Sequence, residues 1–314
     1  MAITIAREDV RWGGHRFWAG VWRVVDPKIT LASAASLFLG TSAAARDGKL
    51  AIGWLVLTVL GIFLLEAAKN MSGEIFDWDS GTDARVAPED RSPFSGGKRV
   101  LVDALMTRWQ AAVVAFLLYA FGGAVGLAIA IHEPRVLWLG LAGAAIAFFY
   151  HAPPFKLSYR GFGEIAVLLA YGPMILCGAY LVQRAVVPLW LLHLALPLGI
   201  MIAAFLFVNE MPDAAADAAS NKRTIVVRLG KRRASRAFAL LPLAAFGYQL
   251  ALPFLAPVGY GVWLGFIGLP FAFAAAHRIW TRPARTADIV PAQGWTLLSF
   301  VLLALGAGVG LLVM

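Results

Sequence analysis

A single cysteine, Cys177, leaves no internal disulfide to staple a chain of 314 residues. Five scattered histidines beside that one thiol exclude a soft-metal centre, which needs clustered nitrogen and sulfur ligands. Charge is scarce as well. Asp, Glu, Lys and Arg make up 14% of the residues and hydrophobic ones 60%, more apolar surface than one water-soluble core of this size can hide. Acids are the scarcer sign, 18 against 27 Lys and Arg, for a formal charge of +9. In a soluble protein that excess would suggest nucleic acid; in a chain this apolar the membrane explains it, and no nucleic-acid partner is expected. Residues 1–28 lack a signal-peptide pattern, since Arg7, Arg11, Arg16, Arg23 and Lys28 are spread through them with no compact apolar stretch.

What is abundant is uncharged sequence. Trp109–Ile131, Val136–Phe155, Ile165–Gln183, Ala185–Val208 and Ile289–Met314 carry no Asp, Glu, Lys or Arg, and each approaches the roughly 20 residues that a transmembrane helix requires. Ala237–Ala276 is about twice as long and is interrupted by Pro257 and Gly259, which predicts a helical hairpin. With Ile29–Ala45 and Leu50–Lys69, these runs predict an all-α, polytopic membrane protein of nine transmembrane helices, a single domain over residues 1–314. Orientation follows from the cations. With a cytoplasmic N-terminal segment (1–28), the outer connections hold just Arg46, Lys49, Arg135 and Arg184 of the 27 Lys and Arg. The expected location is a bacterial-type inner membrane, with the N-terminus cytoplasmic and the C-terminus outside.

Two cytoplasmic loops, 70–108 and 209–235, are expected to be long, and segments of that length are usually functional or disordered. The first opens with Asn70, Gly73, Glu74, Asp77, Asp79, Gly81 and Asp83. If the preceding helix continues, Asn70, Glu74 and Asp77 share one face. The second opens with Asn209, Glu210, Asp213 and Asp217, of which Asn209, Asp213 and Asp217 are spaced by four and also share a face. Two carboxylate faces at a membrane boundary repel each other without a counter-ion. Magnesium takes oxygen ligands, keeps waters and is usually held by one or two carboxylates plus substrate phosphates. The clusters therefore suggest two Mg2+ ions bridged by a diphosphate, with Asp77, Asp83, Asp213, Asp217 and Glu74 as ligands. Asp79, Glu89, Asp90 and Asp103 read instead as caps and solvated loop charges.

Cations accompany the acids. Lys222, Arg223 and Arg228 follow the second cluster, and Tyr150 and Lys156 lie in a third inner loop that ends at Gly163-Glu164. A leaving diphosphate needs donors where its charge develops. Lys156, set between Pro154 and a Gly-containing turn, is placed to be one. Arg232, Arg233 and Arg236 are accounted for by the inside-positive bias, and Glu164 serves equally as a complement to its helix dipole.

At these residues the chain resembles the UbiA family of intramembrane prenyltransferases, which carries one Asn/Asp motif after the second helix and another after the sixth in a nine-helix bundle. Asn209, Asp213 and Asp217, followed by Lys222 through Gly230, match the second motif. Asn70, Glu74, Asp77, Gly81 and Asp83 are similar to the dihydroxynaphthoate prenyltransferase branch of menaquinone synthesis, with Gly73 where that branch has a second Asn. The resemblance covers essentially the whole chain. It implies Mg-dependent transfer of a prenyl chain from a polyprenyl diphosphate to an aromatic acceptor such as 1,4-dihydroxy-2-naphthoate. Lys156, Asp77, Asp213 and Asp217 would do the chemistry, and Asn70, Asn209, Lys222, Arg223, Arg228 and Tyr150 would hold the diphosphate. A lipid-facing groove would take the tail. Other acceptors (4-hydroxybenzoate, a chlorin or a glycerol-phosphate lipid), a non-catalytic relative and a transporter are the alternatives. The sequence leaves oligomeric state open.

Overall fold

The structure, a computed structural model, describes residues 10–313. Arg7 and Met314 lie outside the described residues, and the side chains of residues 27–29 are likewise outside the description. Every regular element among the described residues is helical. In chain order the main ones are α1 (His15–Val25), α2 (Pro27–Arg46), α3 (Ile52–Ser80), α4 (Arg108–His132) and α5 (Val136–Phe149). They are followed by α6 (Gly163–Arg184), α7 (Trp190–Ala219), α8 (Lys231–Leu255), α9 (Tyr260–Thr281) and α10 (Thr286–Val313). Among the described residues seven helices, α3, α4 and α6 to α10, are long and apolar enough to cross a membrane. Helix α5 is apolar but has 14 residues, shorter than the expected Val136–Phe155. The break at Pro257 and Gly259 falls between α8 and α9.

The largest correction concerns the two motif loops. Residues 70–80 and 209–219 are the last turns of α3 and α7. Helices of 29 and 30 residues are about 44 Å long, whereas the hydrocarbon layer is about 30 Å thick. The surplus turns are long enough to carry the acids beyond such a layer at one end of the bundle. They stay helical because they remain packed: Met71 and Ile75 join a small core with Phe17, Val24, Val100 and Met106, and Met211 belongs to the main core. Gly81 ends α3 in the left-handed conformation (φ 73°), its N–H donating to the Asp77 and Trp78 carbonyls.

Helix α1 lies outside the bundle. It buries Phe17, Gly20 and Val24 and exposes Trp18 and Trp22, the two-faced pattern of a helix lying in the membrane interface. The main core lies between α2 and α6 to α10. Some of these helices approach backbone to backbone. A Cβ on Gly310 would stand 1.9 Å from the Gly261 carbonyl oxygen, and one on Gly306 would stand 2.2 Å from that of Leu264. Without a hydrophobic driving force inside lipid, such small-residue contacts carry the packing. Helix α6 contains a π-helical turn at Ala170–Met174, where Pro173 supplies no N–H. The Ser36 hydroxyl donates to the Tyr171 carbonyl in that turn.

Candidate active site at the ends of two helices

Asp77 sits in the last turn of α3. Its Oδ1 accepts the Tyr159 hydroxyl at 2.7 Å, and its Oδ2 lies 3.8 Å from His151 Nε2. Burial, with the nearby charges of Lys222 and Lys69, pushes His151 down to about 4 although Asp77 pulls it up, so the ring is neutral at physiological pH. Tyr159 also bonds the Ser80 hydroxyl at 2.8 Å, and its phenol is pushed up by burial and by Asp77. Asp83, on the short helix Thr82–Arg85, is buried. Burial and then the charges of Asp77 and Glu74 push its carboxyl up to about 9. The loop crosses over it at Gly97 (φ 73°), where a Cβ would come within 2.3 Å of both Asp83 carboxylate oxygens; any larger residue there would collide with the site.

The second cluster is built differently. Asp213 Oδ2 accepts the Gly96 N–H at 3.1 Å, but its Oδ1 has no hydrogen-bond partner among the described residues. Neither do both oxygens of Asp217 and the Oδ1 of Asn209, and all are buried. Lys222 Nζ approaches Asp217 Oδ1 at 3.5 Å, an ion-pair distance too long for a strong hydrogen bond. The backbone fixes that lysine, because Asn221 is left-handed (φ 57°) and the Lys222 N–H donates to the Asp217 carbonyl at 2.8 Å. Burial lowers the ammonium, yet Asp217 and Asp77 outweigh it and hold Lys222 well above the usual lysine range.

Lys222 and Lys156 both point at the Tyr159 ring, with their Nζ atoms 5.5 and 5.2 Å from its centroid. Tyr150 and the pair Glu164 and Glu210 are buried, and a Cβ on Gly163 would stand 3.2 Å from the Tyr150 hydroxyl oxygen and 3.6 Å from Glu210 Oε1. Three carboxylate oxygens of that pair have no partner among the described residues.

Other residues singled out in the sequence are occupied within the protein. Asn70 Nδ2 donates to the Val24 carbonyl at 3.1 Å, tying α3 to α1. Glu74 Oε2 accepts the Val100 N–H at 2.7 Å. The Arg228 guanidinium bonds the Arg223 and Arg160 carbonyls at 3.0 and 2.7 Å, and Arg223 itself is exposed. His151 and Tyr159 were not singled out by spacing. Their one signal was their place in the third inner loop beside Tyr150 and Lys156.

Among the described residues no three His, Cys, Asp or Glu gather closely enough to hold a metal by themselves. The partnerless oxygens of Asn209, Asp213 and Asp217 nonetheless form a hard, anionic donor set. That set suits an ion that completes its shell with water and phosphate, as magnesium does. Below Tyr150 opens an apolar cavity of about 430 Å³, walled by α3 to α6.

The chain matches the UbiA prenyltransferase family over residues 33–301. It is 30% identical over 187 residues to the 2-carboxy-1,4-naphthoquinone phytyltransferase of Synechocystis sp., a match covering 58% of each chain. It is 26% identical over 301 residues to the 1,4-dihydroxy-2-naphthoate octaprenyltransferase of Haemophilus influenzae, covering 92% of this chain and 96% of that protein. Among solved structures, a UbiA homologue from Archaeoglobus fulgidus bound to GPP and Mg2+ aligns with a TM-score of 0.56 at 17% identity, covering 92% of this chain and 99% of that one. A helical bundle whose two overlong helices present acids at one end thus belongs to the UbiA prenyltransferase family.

Proposed function

We propose that this chain transfers the prenyl group of a polyprenyl diphosphate to 1,4-dihydroxy-2-naphthoate, with two magnesium ions between its acid clusters. The observation that supports the reading best is the set of buried, partnerless oxygens on Asn209, Asp213 and Asp217, facing Asp77 above an apolar cavity. The naphthoate acceptor is drawn from the names of the relatives, and the metal from the donor chemistry and the Mg2+-bound homologue.

Bound magnesium would neutralise the diphosphate and help it leave. The chain's own residues do the rest. Lys222 and Lys156, gathered at Tyr159, meet the negative charge that grows on the leaving diphosphate as the allylic C–O bond breaks. Tyr159 orients Asp77 through its hydrogen bond. The cavity excludes water from the electron-poor prenyl carbon. It also holds the tail, each buried methylene contributing about 0.8 kcal/mol.

The orientation proposed from the cations has the site facing the cytoplasm, with α2 and α5 completing nine spans; reporter fusions at residues 84–98, 218–235 and the C-terminus test it. The function is tested by incubating purified protein with magnesium, a labelled polyprenyl diphosphate and a panel of acceptors. The expected result is a prenylated naphthalene product and released pyrophosphate, with turnover abolished by chelator and restored better by magnesium than by calcium. Full activity in chelator would sink the metal role. Preference for 4-hydroxybenzoate, a chlorin or a glycerol-phosphate lipid would overturn the acceptor.

A further inference from the structure

The apolar cavity has a lysine in its wall that makes no ion pair among the described residues. Lys69, two turns before Asp77 on α3, lines the cavity with Glu66 from the same helix. Glu66 is already engaged: its Oε2 accepts the Ser33 hydroxyl at 2.7 Å and its Oε1 the Tyr171 hydroxyl at 3.1 Å. Glu66 is near enough for its charge to act on Lys69, but among the described residues neither it nor any other carboxylate comes within ion-pair distance of that ammonium. The ammonium instead stands 5.5 Å from the centroid of the Tyr150 ring. A cation set in apolar surroundings, with an aromatic face beside it and no ion pair, is costly unless a ligand supplies an anion.

Position decides which anion. Lys69 and Asp77 are eight residues apart on one helix, which is about 12 Å along its axis. The Lys69 ammonium stands at the Tyr150 ring, in the wall of the cavity, whereas Asp77, Asp213 and Asp217 do not line it. A diphosphate held by those three acids would centre on them and leave Lys69 to whatever lies in the cavity. The interval is about that of a diphosphate, its first prenyl carbon and a ring stacked against that carbon. Tyr150, Tyr119 and Tyr171 line the same cavity and offer flat surfaces for such a ring.

We propose that Lys69 binds the carboxylate of an aromatic acid acceptor and thereby selects carboxylated rings, with Glu66 held by Ser33 and Tyr171 so that it does not compete. This rests on the reading of the chain as a prenyltransferase with a naphthoate acceptor. It assigns the acceptor subsite to α3 below the diphosphate.

The test compares two acceptors, 1,4-dihydroxy-2-naphthoate and 1,4-dihydroxynaphthalene, which differ by the carboxylate alone. Wild type, Lys69→Met, Lys69→Gln and Lys69→Arg are assayed for the KM of each acceptor and of the prenyl diphosphate, and for equilibrium binding of each acceptor without diphosphate. Losing one charge-assisted contact should weaken the acid by roughly tenfold or more in the Met and Gln variants. The KM for the carboxylate-free ring and for the diphosphate should stay within about twofold, and Lys69→Arg should keep part of the preference. If Lys69→Met does not reach the membrane, Lys69→Gln reads the same ratio with a polar side chain. A carboxylate preference that survives both neutral variants overturns the inference and leaves the proposed function standing. Equal weakening of both rings and of the diphosphate overturns it too, by assigning the charge to the diphosphate. A wild type that turns over neither ring overturns the proposed function, and this inference with it.

Discussion

The two acid motifs look alike in sequence and are built for different tasks. In the first, α1 takes the Asn70 amide, the Val100 backbone takes Glu74, and Tyr159 takes one oxygen of Asp77. In the second, Asn209, Asp213 and Asp217 keep partnerless buried oxygens. The first is thus largely an anchor that fixes loop 96–106 and α1 against α3, and in the proposed function Asp77 is its working end. The second is, in the same proposal, the open ligand face. Equal spacing of acids on a helix sets which residues share a face; what folds against that face decides whether they remain free to act.

The comparison can be broken most severely at its working ends. Asp217→Ala, Asp213→Ala and Asp77→Ala should each lower turnover by about a hundredfold or more, the scale seen when one transition-state-stabilising group is removed, at unchanged membrane levels. If Asp77→Ala keeps full turnover, the first motif is an anchor throughout. Glu74→Ala separates the motifs next: leaving the Val100 N–H without its acceptor should cost about 1–3 kcal/mol of stability. Thermal unfolding in detergent should show that loss before turnover does. A hundredfold drop in kcat at unchanged stability would instead return Glu74 to the metal face.

Asp83 sharpens the contrast through pH. Its folded carboxyl stands at about 9, against about 3.9 in an unfolded chain. Between those values the folded state holds a proton that the unfolded state lacks. The contribution is therefore full below about pH 4 and is lost as pH rises toward 9, by at most about 1.4 kcal/mol per pH unit. Unfolding of metal-free protein followed across that range should flatten in Asp83→Asn; an unchanged slope would mean that the carboxyl is already ionised. The smallest effect is expected at Asp79, whose carboxylate pairs with Arg108 at 2.9 and 2.7 Å in an exposed position. Such pairs contribute about 0–1 kcal/mol, so Asp79→Asn should assay within about twofold of wild type.

Much of this was legible in the sequence because it depends on local order. Uncharged runs give helices that lipid would surround, and Pro257 with Gly259 gives the break between α8 and α9. The spacing of Asn209, Asp213 and Asp217 gives a shared face. What depended on distant segments was not legible. Nothing in the run from Asn70 to Asp77 announces that Val24 and Val100 will claim two of its polar groups. Nothing near Arg228 in the sequence announces that the carbonyls of Arg223 and Arg160 will take two of its donors. The helical continuation to Ser80 and Ala219 was legible in the spacing of the acids alone. Polar residues past an apolar run look like a loop unless a second layer of protein covers them.

The bare-backbone contacts of α10 have a consequence for anyone who surveys this gene by random mutation. Alanine at Gly306 or Gly310 would drive a methyl group into the carbonyls of Leu264 and Gly261, and neither carbonyl belongs to an acid motif. Such clones would score as silent alongside those hit at Asp217. An activity screen alone would then draw a second, false hot spot at the far end of the chain, and blotting each clone for protein in the membrane fraction would erase it.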